Sequence, residues 1–464
     1  MTAQTILPAN SAASGGFEVA NSIRLNENAY LHKTPSGSGN RKTWTASVWV
    51  KGQPTTATNN IAGQAVFSAG DSATDRTHFY FTNGIFEFRT EISNTQQIIT
   101  TNQVFTDPAA WYHIVVAVDS TQSTDTNRVK IYANGVQITS FSAAAYLAED
   151  ADTSVNHTVK QYVGSSSWSA GSYFNGYMAE FVLLDGTAAT PTSFGEFDED
   201  SNIWKPIKVS DLTFGTNGFY LDFQASGNLG NDANGGTDLT EVNIAAVDQT
   251  TDTCTNNFAT LNPLFPEANV AYTQGNTVAT ADGSTNWSST IPTVGLVSGK
   301  WYWEWTATST NNVFVGIASE ALVNSTLISD DTPYDQNGLI LYFAGRRKTV
   351  DGTDTETHFT TFGSGTMSAA LDLDSGTRTI TMFHNGSQTG DTIDLTANFA
   401  AGDAVFPVFM VNAGSNASVL NVNFGNPAYA NSSSATDGDG FGNFEFAPPS
   451  GYFAICTKNL AEYG

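Results

Sequence analysis

The stretch "ANSIRLNENAYLHKTPSGSGNRKTWTASVWVKG", residues 20–52, decides the fold. Its last third, "TASVWVKG", alternates apolar and polar residues and follows the turn-rich "SGSGN", which is the pattern of a β-strand entered from a loop. Working outward, the same alternation returns in "HFYFTNGIFEFRTE", "WYHIVVAVDS", "NRVKIYANGVQITSF" and "YFNGYMAEFVLLDG". These runs predict antiparallel strands. Asn83-Gly84 and Asn134-Gly135 each separate two such runs, and a type I′ turn selects that dipeptide because both central residues need positive φ. In "RVKIYANG", Val129, Ile131 and Ala133 face one way and Lys130 and Tyr132 the other, as expected of a sandwich strand with one buried face.

Composition agrees with an all-β chain. Its 464 residues allow two or three domains, and apolar residues at 40% suffice to fill separate cores. Only 13% of residues are charged, while Gly, Thr, Ser and Asn abound, which favours strands and tight turns over helices. With 44 acids against 18 bases the formal net charge is −26, so phosphate backbones and anionic membrane surfaces are repelled and no nucleic-acid partner is expected. The acids are scattered through turns such as "TDTET" and "DGDG". That is a low-pI surface in the plain reading and a set of cation-binding loops in the sharper one.

Cys254 and Cys456 are the only cysteines, which rules out a zinc cluster or a dense disulfide framework and leaves one bridge or two free thiols. Cys456 is expected in the final strand. "MTAQTILPANSAASGGFEVANS" lacks a basic segment followed by an apolar one, and no apolar run reaches about 18 residues. The expectation is therefore no secretion signal and no membrane insertion.

Along the chain, residues 1–19 read as an arm that orders only by docking, 20–186 as the first sandwich and 187–267 as a connector. Within the connector, "TPTSFGEF" predicts one short helical turn, "GFYLDF" a strand returning to the first sandwich, and "GNLGNDANGGTD" an ordered loop. Residues 268–464 form a second sandwich. Its clearest strand is "GKWYWEWTAT", where Trp301, Trp303 and Trp305 share one face and Tyr302, Glu304 and Thr306 the other.

The order of residues 45–51, Trp111-Tyr112-His113, "KIYANGVQI" and "GYMAEFVLLDG" resembles the laminin-G and concanavalin-A-like jelly roll over about 165 residues. "KWYWE", "VGIA", "FHNG", "VNFG" and "PPSGY", in that order, resemble a SPRY domain. Taken together, the opening stretch, the connector pieces "NGFYLDF", "NLGNDANG" and "DTCTNNFATLNP", and the SPRY-like end resemble virion structural proteins of tailed bacteriophages.

That resemblance implies a non-enzymatic protein of the virion exterior, assembled in the host cytoplasm as a tail fibre or spike or as a capsid-surface component. Its partners would be other virion proteins, further copies of itself, a trimer being usual for fibres and spikes, and a host-surface glycan or protein. Capsid decoration with no receptor role is the alternative, and a polysaccharide-degrading spike is the third reading.

Candidate chemistry is sparse. Glucanases on this jelly roll use an alternating Glu-x-Asp-x-Glu strand, and "GEFDEDS" offers Glu196 and Asp198 but places Asp200 where the third Glu belongs. It reads as a solvated loop. None of the six histidines lies in a nucleophile or metal-pair motif. Asn231, Asp232 and Asp238 in "NLGNDANGGTD" are oxygen donors of the kind calcium takes. Trp168 and Tyr173 in "SSSWSAGSYFNGY", and Trp287 in "DGSTNW", could stack on a pyranose face, or else pack under their own loops or at a subunit interface. In SPRY-like modules the end loops meet partners. Here those are residues 329–338, which carry Tyr334, and the loop with the basic triplet Arg346, Arg347 and Lys348.

Overall fold

The computed structural model describes residues 16–26, 28–52, 63–70, 72–166, 172–265, 270–281, 287–308, 313–323, 364–397, 399–412 and 418–464, and the backbone of 339–343 and 346–348. Contacts group the chain into two compact units, one ending at Thr255 and one beginning at Asn256. Both are antiparallel β-sandwiches.

In the first unit, sheet one runs in the order Val136–Gln137, Val129–Ala133, Tyr112–Asp119, Thr43–Gly52, Gly176–Asp185, Ser22–Leu25 and Gln249–Thr250, with Phe219–Leu221 also paired to Gly176–Asp185. Sheet two runs Phe141–Ala144, Thr95–Val104, Ile85–Ile92, Arg76–Thr82, Gln64–Gly70, Gln161–Val163, Tyr30–Lys33 and Thr240–Val242. Between them, Trp44, Val116, Ile131 and Phe181 from sheet one meet Leu31, Phe67, Phe88 and Val163 from sheet two. Inner faces of packed sheets interdigitate in this way, and burying such side chains contributes about 1.5–3 kcal/mol each.

Both Asn-Gly pairs turn as their chemistry demands. Asn83 and Gly84 have φ of 50° and 73°, and Asn134 and Gly135 of 46° and 79°. A Cβ on Gly135 would lie 2.3 Å from the Trp204 ring, so that position is restricted by packing as well as by φ.

The outer face of sheet one is covered, which corrects the expectation of one buried face for Val129–Ala133. Val129, Ile131 and Ala133 do enter the main core, but Tyr132 on the other face is also buried, clustered with Val115, Val182 and Phe194. Beside them Val19, Trp49, Trp111, Tyr177, Trp204 and Cys254 form a further cluster. The physical reason is that Ala189, Phe194, Val209, Leu212 and Phe214, with Trp204 and Cys254, pack on this face, while later parts of residues 187–255 add strands to both sheets and side chains to the main core. Thr240–Val242 pairs with Tyr30–Lys33, and Gln249–Thr250 with Ser22–Leu25. Pro191–Ser193 makes one 3-10 turn. Residues 256–265 bond within the second unit, through Ala259 N–H to Ile455 O and Leu261 N–H to Asn276 O.

The second unit packs a sheet containing Lys300–Ala307, Met367–Asp372, Thr379–His384 and Val419–Asn423 on one containing Trp287–Thr290, Val405–Asn412, Val313–Ser319, Leu339–Phe343 and Arg346–Lys348. Trp301, Trp303 and Trp305 enter the core with Val315, Ile317 and Phe409. Tyr302, on the opposite face, lies under the C-terminal segment against Phe444 and Ala454. Glu304, also buried, fastens that segment by accepting the N–H groups of Glu445 and Phe446, each at 2.8 Å. Cys456 follows the short strand Phe453–Ala454 and precedes the helix Thr457–Tyr463, so it is not in a strand. Both cysteines are free, buried thiols. No described helix is long and apolar enough to cross a membrane.

Candidate functional site

The outer face of sheet two is itself buried at Arg76, His78, Tyr80, Glu87 and Glu91, and is more exposed toward its other end, around Tyr30 and Tyr162. Leu31 enters the core, so its neighbours Tyr30 and His32 point outward. Val163 does the same for Tyr162, which pairs across to His32 on one side and Ser68 on the other. The three rings form a cluster, Tyr30 to Tyr162 at 5.7 Å, Tyr30 to His32 at 6.0 Å and His32 to Tyr162 at 6.0 Å between centroids. Tyr173 stacks on Tyr30 at 6.1 Å and 25°. All four are half-exposed. Lys160 Nζ lies 5.7 Å from the Tyr162 centroid, within cation–π range.

The electrostatics follow from this packing. Burial, then the Lys160 ammonium, lowers the His32 pKa, so the imidazole is neutral near pH 7. Burial, then Tyr30, raises that of Tyr162, which stays a phenol able to donate and accept. Further across the sheet the charges pair with one another. Arg76 bonds Glu91 at 2.7 Å, Arg89 meets Glu87 at 3.2 Å, and Tyr80 and Thr100 donate to Glu87. His78 beside them is buried and its pKa is held well below 6.5 by burial, then Arg76 and Arg89.

The sequence-predicted residues scatter over the two units. Tyr173 joins the aromatic cluster. Trp168 lies outside the described residues. Trp287 belongs to the second unit, half-buried and edge-on to Phe314 at 4.3 Å, where it borders a small apolar cluster. Tyr334 lies outside the described residues. Arg346, Arg347 and Lys348, expected in a loop, form an edge strand paired antiparallel with Leu339–Phe343.

Asn231, Asp232 and Asp238 do share one turn, but it closes largely on itself. Asp232 Oδ1 accepts the N–H groups of Tyr220 and Asn234, while Asp238 accepts that of Asp232 through Oδ1 and the Asn228 amide through Oδ2. The adjacent cation is Lys33, whose Nζ donates to Thr237 O at 3.1 Å. Burial lowers its pKa, and Asp232 and Asp238 act against that. Among the described residues no group of three or more His, Cys, Asp or Glu is placed to hold a metal ion.

"GEFDEDS", expected as a solvated loop, is exposed at Glu196, Glu199 and Asp200 but begins as a strand. Gly195–Phe197 pairs with Trp204–Pro206, and buried Asp198 accepts the N–H of Ser201 at 2.9 Å and the Lys205 ammonium at 3.1 Å, which ties off the hairpin. Local closure reached this segment because Asp followed by Ser three residues on is a turn-capping pattern.

Sequence reasoning missed Tyr30, His32, Tyr162 and Lys160. The alternation "YLHK" carried a signal for the first pair. Gln161–Val163 is a three-residue strand and too short for periodicity to reveal.

Residues 26–192 match the family profile Laminin_G_3, described as the concanavalin A-like lectin/glucanases superfamily. The fold of the first unit is accordingly that of a lectin-like jelly roll. No curated protein matches the chain. Solved structures similar to it include the SPRY domain of human HERC1, 18% identical with a TM-score of 0.28 over 35% of this chain and 96% of that one. The PSpry domain of TRIM65 is 17% identical with a TM-score of 0.29, over 36% of this chain and 88% of that one. Stonustoxin is 18% identical with a TM-score of 0.27, over 36% of this chain and 27% of that one.

Proposed function

We propose that this chain is a non-enzymatic surface-binding protein of a tailed-phage virion, and that its first sandwich holds a host-surface glycan on the outer face of sheet two. The observation that carries the binding reading is the cluster of Tyr30, His32, Tyr162 and Tyr173, four half-exposed rings on one face. Aromatic rings stack on the C–H face of a pyranose, while phenol and imidazole groups at their edges exchange hydrogen bonds with its hydroxyls. The virion setting is supported by the run of motifs from the opening stretch to the SPRY-like end. In that setting the chain works in repeated copies, trimeric in a fibre or spike, and weak single sites gain strength from multivalency.

The test is equilibrium binding of the full chain to an array of bacterial surface polysaccharides, beside Tyr162→Ala. Binding that falls at least about tenfold in the variant, with the circular dichroism spectrum unchanged, supports the reading. Absence of binding to every polysaccharide, together with tight binding to purified capsids, overturns it in favour of decoration. Release of reducing sugar from any polysaccharide on the array overturns the non-enzymatic part.

A further inference from the structure

Within this reading, the chemistry around the aromatic cluster narrows the ligand class. Bases are scarce in the chain, 18 against 44 acids. On the outer face of sheet two the guanidinium groups of Arg76 and Arg89 are matched by Glu91 and Glu87. Lys160 is different: among the described residues its ammonium enters no ion pair, and its nearest defined contact is the Tyr162 ring face. Its charge reaches His32 as well, since it helps to lower that residue's pKa. The aromatic cluster is therefore flanked by a positive charge that has no counter-ion among the described residues, in a chain whose formal net charge is −26.

We propose that the Tyr30, His32, Tyr162 and Tyr173 cluster takes a carboxylated pyranose, with the ring stacked on the aromatic side chains and its carboxylate meeting Lys160 Nζ. This inference rests on the glycan-binding reading. A carboxylate gives Lys160 a charge-assisted hydrogen bond that no described residue supplies, and neutral His32 exchanges hydrogen bonds with hydroxyls. Because the partner sugar brings the negative charge, discrimination against neutral sugars comes from one residue, while stacking supplies the rest of the affinity.

The experiment measures binding of the full chain to a panel of polysaccharides, with the carboxylated members, alginate and polygalacturonate among them, offered both native and carboxyl-reduced, a treatment that turns each carboxylate into a hydroxymethyl group. Wild type and Lys160→Met are compared at low and high salt. The expected result is a preference of at least about tenfold for a native polyuronate over its reduced form, weakened by salt and abolished in Lys160→Met, which still binds the reduced form. Equal binding of native and reduced forms, binding confined to neutral glycans, or a preference that survives in Lys160→Met overturns this inference and leaves the glycan-binding reading standing. No binding to any member, acidic or neutral, overturns both.

Discussion

Replacing Glu180 with Gln should abolish a loss of stability that the wild-type chain suffers as pH rises. Glu180 lies in Gly176–Asp185 where the pairing with Thr43–Gly52 slips between Ala179 and Val182, and its φ of 50° turns it onto the covered face of sheet one. There it is buried, and Tyr220 donates its hydroxyl proton to Oε2 at 2.5 Å. Burial lifts its pKa from 4.5 to about 7, with Asp222 adding to the rise and the Tyr220 hydrogen bond opposing it.

Because the folded pKa is the higher one, the native state holds the proton more tightly. The contribution is fully present below about pH 4.5 and is lost as pH rises through about 7. At roughly 1.4 kcal/mol per pH unit, the interval from 4.5 to about 7 corresponds to a loss of about 3 kcal/mol. The amide in Glu180→Gln keeps the shape and an acceptor for Tyr220 but cannot ionise. The assay is urea unfolding followed by hydrogen exchange in peptides covering residues 176–185, for both proteins, at pH 5 and pH 8.5. The expected advantage of the variant is small at pH 5 and about 3 kcal/mol at pH 8.5. An advantage independent of pH, or a wild type that is the more stable at pH 8.5, would refute the reasoning.

Four further outcomes follow from the same structure. His113, whose pKa burial pushes down to about 3, accepts from Trp204 Nε1 at Nδ1 and therefore carries its proton on Nε2 toward Ser47; nitrogen NMR should show that tautomer with no titration between about pH 5 and 8. Lys51 and Asp252 form a buried ion pair at 2.8 Å that Trp111 also joins, so Lys51→Met alone should cost about 3–5 kcal/mol, and the double change Lys51→Met with Asp252→Leu distinctly less, in denaturant unfolding. Gly135→Ala must displace Trp204 and should cost about 2 kcal/mol or more, whereas Gly227→Ala, with nothing within 4 Å, should cost under about 1 kcal/mol by the same measurement. Glu304→Ala leaves the N–H groups of Glu445 and Phe446 without their acceptor, and hydrogen exchange should speed up in peptides covering residues 443–454 while the Val313–Ser319 strand stays protected.

What the sequence disclosed was whatever local chemistry or a long period enforces. Trp301, Trp303 and Trp305 enter one core because a strand repeats every two residues, and the Asn-Gly hairpins turn because those dipeptides tolerate positive φ. What it hid depends on distant partners. "GFYLDF" announced a strand returning to the first sandwich, and Phe219–Leu221 pairs with Gly176–Asp185, but nothing in "TEVN" announces that Thr240–Val242 would extend sheet two, or in residues 187–214 that they would pack on the outer face of sheet one. The aromatic cluster is equally non-local: Tyr30, Tyr162 and Tyr173 are brought together by the pairing of Gln161–Val163 with Tyr30–Lys33 and by the loop that follows. Tyr173 was visible from composition as an aromatic in a Ser- and Gly-rich loop, but its partners were not. The carboxylates of "GEFDEDS" and "NLGNDANGGTD" drew attention by spacing; Asp198 is held by Ser201 and Lys205, and Asp232 Oδ1 and Asp238 accept hydrogen bonds from their own turn and from Tyr220.

The proposed virion setting is tested most directly by cryo-electron microscopy of particles purified from cells that produce this chain. The expected result is density for both sandwiches on the particle exterior, with the Tyr30, His32, Tyr162 and Tyr173 face of the first open to solvent. Absence of the chain from the particle, or that face sealed against a neighbouring virion protein, would contradict it.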